Sequence, residues 1–267
     1  MNSTLKRVKS MFSVDVKRAF GSPLFYIMVG VSLVIPILIL VMTTMMDGTV
    51  STNPQTGAQT VIEGFKNAWQ IIGEVSALEG ADTSASAAGM GLTAMCNINL
   101  LFFLMAAFTC VFVSDDFRSG YAKNLFTVRS KKTDYVISKT AVCFISGAMM
   151  LIAFFVGTVL GGAIAGLPFD MQGFNALNLI MSMLSKIFLS LIFISIYVLA
   201  SVIAKQKLWL SILLSLEIGM LFFTVAPMIT PINASVINVI LCAVGGVGFA
   251  VGIGAISNVV LNKTALV

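Results

Sequence analysis

Six runs of predominantly apolar residues, 24–46, 92–113, 140–165, 177–203, 208–225 and 236–256, divide this chain, and each is near the roughly 20 residues that a helix needs to cross hydrocarbon. Composition agrees: hydrophobic residues make up 58% of the sequence, and the mean hydropathy is +1.01. The expected fold is an all-α integral membrane protein, one transmembrane domain over residues 1–267 with six spans. No histidine is present, which removes Ser/His proteases, H-E-x-x-H zinc proteases and histidine phosphoryl relays together. The four cysteines, Cys96, Cys110, Cys143 and Cys242, fall in apolar runs without C-x-x-C spacing. They read as small packed hydrophobes, and no metal site is expected.

Residues 1–23 precede the first run. Leu5, Val8, Phe12, Val16, Ala19 and Phe20 share one face of a helix, while Lys6, Arg7, Lys17 and Arg18 fall mostly elsewhere, the pattern of an amphipathic helix lying in the membrane interface. Gly21-Ser22-Pro23 then makes the bend into the first span. The run behind it is too long for a signal-peptide core and no small-x-small cleavage site follows, so the span is read as uncleaved. Residues 47–91 form an external loop in which Ile62, Phe65, Trp69, Ile72 and Val75 predict an amphipathic helix over 61–78. The third run carries Gly157-x-x-x-Gly161 and Gly162-x-x-x-Gly166, spacings that let helix backbones approach closely.

Sidedness follows from the basic residues. The N-terminal segment, residues 114–139, the Lys205/Lys207 turn and the C-terminal end hold fourteen of the sixteen lysines and arginines, and six spans place all four on one side, the cytoplasm. Both termini are therefore expected inside a multi-pass cell-membrane protein. Lys66 lies in the external loop. Lys186 and Glu217 are the only charges inside apolar runs, where charge is costly, so both are candidates for a polar path across the membrane. The apolar runs are rich in Met and Phe, which suits a hydrophobic or amphipathic cargo and equally suits lipid contact.

Residues 114–139, SDDFRSGYAKNLFTVRSKKTDYVISK, are a charged island between the second and third spans. Phe117, Tyr121, Leu125 and Phe126 recur between the charges at helical spacing, which predicts an amphipathic helical element at the cytoplasmic membrane surface, a place for a partner to dock.

With an amphipathic N-terminal helix, six spans and this island, the chain resembles the ABC-2 type permeases, the membrane subunits of ATP-driven exporters. Asp116, Arg118, Gly120, the pair Leu125 and Phe126, the basic residues Arg129, Lys131 and Lys132, and Lys139 stand in the places of the family pattern. Tyr121 occupies the usual Thr position, and Val128 stands where Pro is frequent. The resemblance implies a homo- or heterodimer of six-span subunits resting on separate ABC ATP-binding subunits. It also implies a coupling helix that receives their stroke, here carried by Asp115, Asp116, Arg118, Gly120, Tyr121, Leu125, Phe126, Arg129, Lys131 and Lys132. The chain itself contains no G-x-x-x-x-G-K-[ST], so it has no phosphate-cradling loop of that kind, and ATP with its Mg is expected in the partner. Peptides, lipids and drug-like molecules are the expected cargo classes. Two other readings fit the composition: an ion-coupled secondary transporter using Lys186 and Glu217, or a non-transporting membrane scaffold or immunity protein whose external loop binds a ligand.

Overall fold

A computed structural model describes residues 3–52, 59–73, 97–128, 131–171, 173–223 and 230–263. Helix α1, Ser3–Phe20, ends at the Gly21-Ser22 bend, and α2, Pro23–Met46, starts with Pro23 in its first turn, where the missing N–H would have had no intrahelical partner. Among the described residues six further helices follow: α3 (Leu100–Arg118), α4 (Tyr121–Thr127), α5 (Lys132–Ala165), α6 (Ala176–Ala204), α7 (Leu208–Phe223) and α8 (Val236–Lys263). Five of the eight, α2, α3, α5, α6 and α8, are long and apolar enough to cross a membrane. At 1.5 Å per residue the 16 residues of α7 cover about 24 Å, short of the ~30 Å of a hydrocarbon core. Residues 224–225 of the expected fifth span lie outside the described residues.

Three sequence expectations are corrected. The second span does not stop at Val113: α3 continues through Arg118. The third does not begin at Thr140, because α5 starts at Lys132 and its 34 residues extend about 51 Å. The charged island is consequently split between two helix extensions and the seven-residue α4. In the external loop, the helix expected over 61–78 is not formed in its described part. Instead β1 (Val50–Thr52) pairs antiparallel with β2 (Gln59–Val61), Val50 opposite Val61, followed by a single 3-10 turn at Ala68–Ile71. The reason is local: Gly64 and Gly73 weaken helix propagation, Asp47 Oδ1 takes the Gly64 N–H at 2.8 Å, and Asn67 caps the 3-10 turn. The apolar residues still bury, as Phe65, Trp69, Ile71 and Ile72 join the core, the 3-10 turn packing on α2 and α5.

Helix α5 is the shared wall. It packs on α1, α2, α3, α6 and α8. The close approach to α2 is set by Gly157 and Gly161, since a Cβ on Gly157 would run into the Leu33 carbonyl and one on Gly161 would reach 2.7 Å from Ile37 Cα. The anticipated Gly-x-x-x-Gly spacing thus serves packing within the chain. Hydroxyl and thiol contacts tie α7 to its neighbours: Ser201 and Ser211 oxygens lie 2.7 Å apart, and Cys110 Sγ lies 3.1 Å from Ser215 Oγ. At one end of the bundle, the Ala68 N–H donates to Pro168 O, the Ile98 N–H to Ile71 O, and Asn178 Nδ2 to Ala234 O. At the opposite end, Lys132 Nζ donates to Leu261 O at 2.6 Å, closing α8 onto the start of α5.

Candidate functional site

Four charged side chains converge at that second end. Asp15 sits on α1 at the centre of its apolar stripe, among Phe12, Val16 and Ala19, so the turn that packs the stripe against α5 also carries a carboxylate inward. Asp116 comes from the extension of α3, Lys139 from the second turn of α5, and Arg18 from the last turn of α1. Lys139 Nζ lies 2.8 Å from Asp15 Oδ1 and 2.7 Å from Asp116 Oδ2, with all three side chains fully buried. Arg18 Nη2 is 2.8 Å from Asp116 Oδ1, with that side chain 31% exposed. Ser138 donates its hydroxyl to Asp15 at 2.5 Å, and the Tyr135 hydroxyl donates to Asp116 at 3.0 Å.

The cluster contains two anions and two cations, so it is electrically neutral. Aromatic faces complete it: Lys139 Nζ is 4.1 Å from the Phe112 ring centroid, and the Arg18 guanidinium carbon is 4.1 Å from that of Tyr121. Burial lowers the basicity of the Arg18 guanidinium, but Asp116 first, with Tyr121 and Asp15, together outweigh it and leave its pKa raised. A second bridge, Arg7 to Asp134 at 3.3 Å, joins α1 to the first turn of α5.

The structure distributes the anticipated coupling residues over distinct roles. Asp116 is not on a docking surface: it is fully buried, and its charge is consumed inside the chain. Tyr121 lies under Arg18, while Leu125 and Phe126 pack on the core, Phe126 edge-on to Tyr135 at 5.3 Å. Gly120 has φ +74, the left-handed geometry that turns α3 into α4 and that a side chain disfavours. Asp115, Arg118 and Lys131 face solvent, as do Lys123, Asn124, Thr127 and Val128 on the outer side of α4. Lys132 is half-buried and bonded to α8. Arg129 lies outside the described residues.

The two intramembrane candidates do not meet. Lys186 is 3% exposed, and its ammonium donates to Thr230 O at 2.5 Å and to Thr230 Oγ1 at 3.0 Å, at the end of the bundle opposite the ion cluster. Glu217 lies exposed on α7, on one stripe with Trp209 and Leu213. Lys186 therefore neither pairs with Glu217 nor reaches open water. A carboxylate on an apolar exposed stripe is poorly placed against lipid and calls for a polar neighbour.

The described residues hold no cluster of metal-ligating side chains. The sequence pattern of the ABC-2 family transporter proteins matches residues 21–222. The chain belongs to that family. It is a membrane transport component of the ABC transporter class, multi-pass by its five long apolar helices. No curated protein and no solved structure matches it.

Within this ABC-2 family chain, sequence reasoning missed Asp15, Arg18, Tyr135 and Ser138 as site residues. A signal for Asp15 was present: it is the one acidic residue in the N-terminal helix and lies among that helix's apolar positions, where an unpaired carboxylate would be expelled. Arg18 is three residues away, but Ser138 and Lys139 lie more than a hundred residues along the chain, and no local pattern identifies them.

Proposed function

We propose that this chain is the permease subunit of an ATP-driven exporter, working as a dimer on separate ATP-binding subunits that bind ATP and Mg. The cluster's end of the bundle is then cytoplasmic, with both termini there. The observation that carries the reading, together with the family match, is that α1, α3, α4 and α5 meet at one neutral buried ion cluster directly behind the exposed face of α4. A partner pushing on Lys123, Asn124, Thr127 and Val128 pushes on a small helix braced from behind by Arg18 on Tyr121 and by Phe126 on Tyr135. Displacement is then passed to the long helices α3 and α5 rather than absorbed by a loose loop.

Asp116 and Arg18 act in this scheme as positioning residues, and the exposed α4 residues, with Asp115, Arg118 and Lys131, form the docking surface. Lys186 and Glu217 are assigned to the route across the membrane, and a hydrophobic or amphipathic cargo suits the apolar surfaces that α2, α6 and α8 expose. In a six-span reading α7 is the fifth span and α8 the sixth.

Co-purification of the chain with an ATP-binding subunit tests the class, since an ion-coupled carrier or a scaffold retains none. Charge reversal at Asp115 and Arg118 is expected to weaken that association while leaving insertion intact; unchanged association and transport would remove the docking role. For orientation, single cysteines replacing Val61 and Lys131 in a background without native cysteines are exposed to an impermeant thiol reagent on intact cells. Labelling is expected at 61 and not at 131, and the reverse pattern would invert the topology.

A further inference from the structure

At the end of the bundle opposite the ion cluster, α6 buries a second group of polar side chains. Ser182, Ser185 and Lys186 stand at i, i+3 and i+4 on one helix face, and all three are buried. The serines of α6 divide into two sets. Ser190, Ser195 and Ser201 each donate their hydroxyl to a carbonyl three or four residues back in the same helix, at 2.7, 2.7 and 2.8 Å. The Ser182 and Ser185 hydroxyls make no such bond and have no hydrogen-bond partner. A buried hydroxyl in a helix ordinarily turns to the preceding turn, so two that do not, beside an ammonium, are donors open to an incoming acceptor.

Lys186 supplies the charge. Its ammonium donates to the carbonyl and hydroxyl of Thr230, both neutral, and the titratable group that acts on it is the Cys242 thiol of α8. A Cβ on Gly73 would stand 3.8 Å from Lys186 Nζ and 3.4 Å from Ile232 Cγ1, so the glycine leaves about one carbon's width beside the ammonium. Ile232 and Leu189, the latter one turn along α6, are buried and apolar. An ammonium repels a cation, and two hydroxyls with it on an apolar wall match an anionic head followed by a hydrocarbon chain. We propose that Ser182, Ser185 and Lys186 form a seat for the carboxylate of an amphipathic cargo, which displaces Thr230 from the ammonium. The exchange replaces neutral acceptors with a charged one, and charge-assisted bonds in a low-dielectric interior are the stronger kind. That the bound molecule is cargo rests on the transport reading above, whereas the binding itself requires no ATP-binding subunit.

The test uses the full-length chain in phosphatidylcholine nanodiscs, without an ATP-binding subunit, and a dodecanoate that carries a photoreactive diazirine in its chain. Cross-links mapped by peptide mass spectrometry are expected on α6 between Ser182 and Leu189 and around Ile232. Dodecanoate should compete roughly tenfold better than dodecanamide, which keeps the chain and lacks the charge. Lys186→Met and Ser182→Ala/Ser185→Ala should each lower the labelling roughly tenfold, whereas Ser190→Ala, which removes a hydroxyl bonded within its own helix, should leave it unchanged. Should Lys186→Met fail to fold, the serine pair and the competition on the native chain decide.

Equal competition by the acid and the amide, labelling that neither variant reduces, or an equal loss in Ser190→Ala overturns the proposal. Chloride competing as well as dodecanoate would make the seat one for inorganic anions and end the carboxylate assignment. Acid-selective labelling of a chain that retains no ATP-binding subunit would uphold the seat while removing the exporter reading. Retention of an ATP-binding subunit without acid-selective labelling would do the reverse.

Discussion

Lys139 and Lys186 are two lysines of almost equal burial, each inside a long apolar helix, and they are held in opposite ways. Lys139 has a carboxylate on either side, from α1 and from α3, with an aromatic face at 4.1 Å and a second cation balancing the count. Among the described residues, Lys186 has the carbonyl and hydroxyl of Thr230 as its hydrogen-bond partners. The first arrangement is a closed electrostatic knot whose parts are set by the fold, and removing one part strands the others. In the second, an ammonium is solvated by neutral dipoles, an arrangement that stability alone would replace with a methionine. The end of the bundle that holds the ion cluster is therefore built to stay assembled, and the opposite end keeps a buried lysine held by neutral dipoles.

The contrast breaks most visibly at Lys139. Lys139→Met leaves Asp15 and Asp116 buried with Arg18 as their one nearby cation, and removing one partner of a buried pair costs about 3–5 kcal/mol. A large fall in the thermal midpoint of the solubilised chain, followed by size-exclusion chromatography, is expected. Lys139→Met/Asp15→Asn restores neutrality around the surviving Arg18–Asp116 pair and should recover part of the loss. A double variant no better than the single would mean that packing, not charge balance, sets the cost.

At Lys186 the same substitution should do far less to the fold. Methionine fills a similar volume, and the cost is limited to hydrogen bonds with Thr230, each worth about 0.5–1.5 kcal/mol net and more when the donor is charged. Offsetting that is the removal of a buried charge that meets no carboxylate among the described residues, so a near-neutral midpoint is expected alongside altered transport in reconstituted vesicles. A drop as large as that of Lys139→Met would erase the distinction between the two ends.

Glu217 sharpens the comparison from the side of the acid. It is exposed on the α7 stripe that carries Trp209 and Leu213, where lipid is a costly neighbour for a carboxylate. Glu217→Gln and Glu217→Leu should both insert with little change in midpoint and both change transport, the leucine variant more. Normal transport by both variants would reduce the residue to packing.

Much of this architecture was legible in the sequence, for reasons that also explain what was not. The runs at 24–46 and 177–203 match α2 and α6 to within a residue because hydropathy falls sharply at Asp47 and at Lys205. It fails at the island, where Asp116 and Lys139 look like surface charges and are instead neutralised in the interior, so that α3 and α5 extend past the point where composition turns polar. The external loop misled through periodicity: Phe65, Trp69 and Ile72 do bury, but on an irregular stretch after β2 and a 3-10 turn, where two glycines weaken helix propagation. Of the site, the island's place was readable, while the pairing of Asp15 with Lys139 joins positions whose proximity only the packing of α1 on α5 creates.

The smallest effect is expected beside the β1–β2 hairpin, where Lys66 Nζ meets Asp47 at 2.7 Å with both side chains well exposed. The Lys66 hydrogen bond first, and the Gly64 N–H second, hold the Asp47 carboxyl below its ordinary 3.8. A carboxyl whose pKa is depressed on folding contributes stability above its unfolded value, and that contribution is lost as the pH falls through the lowered one. The difference in midpoint between the native chain and Asp47→Asn should therefore be small at neutral pH, shrink further in high salt, and close only below pH 3.8. The buried knot at Lys139 predicts the opposite response to salt, since its side chain and both carboxylates are inaccessible to ions. A midpoint penalty for Lys139→Met that salt erased as readily as that of Asp47→Asn would place the cluster in water and undo its role as a rigid brace.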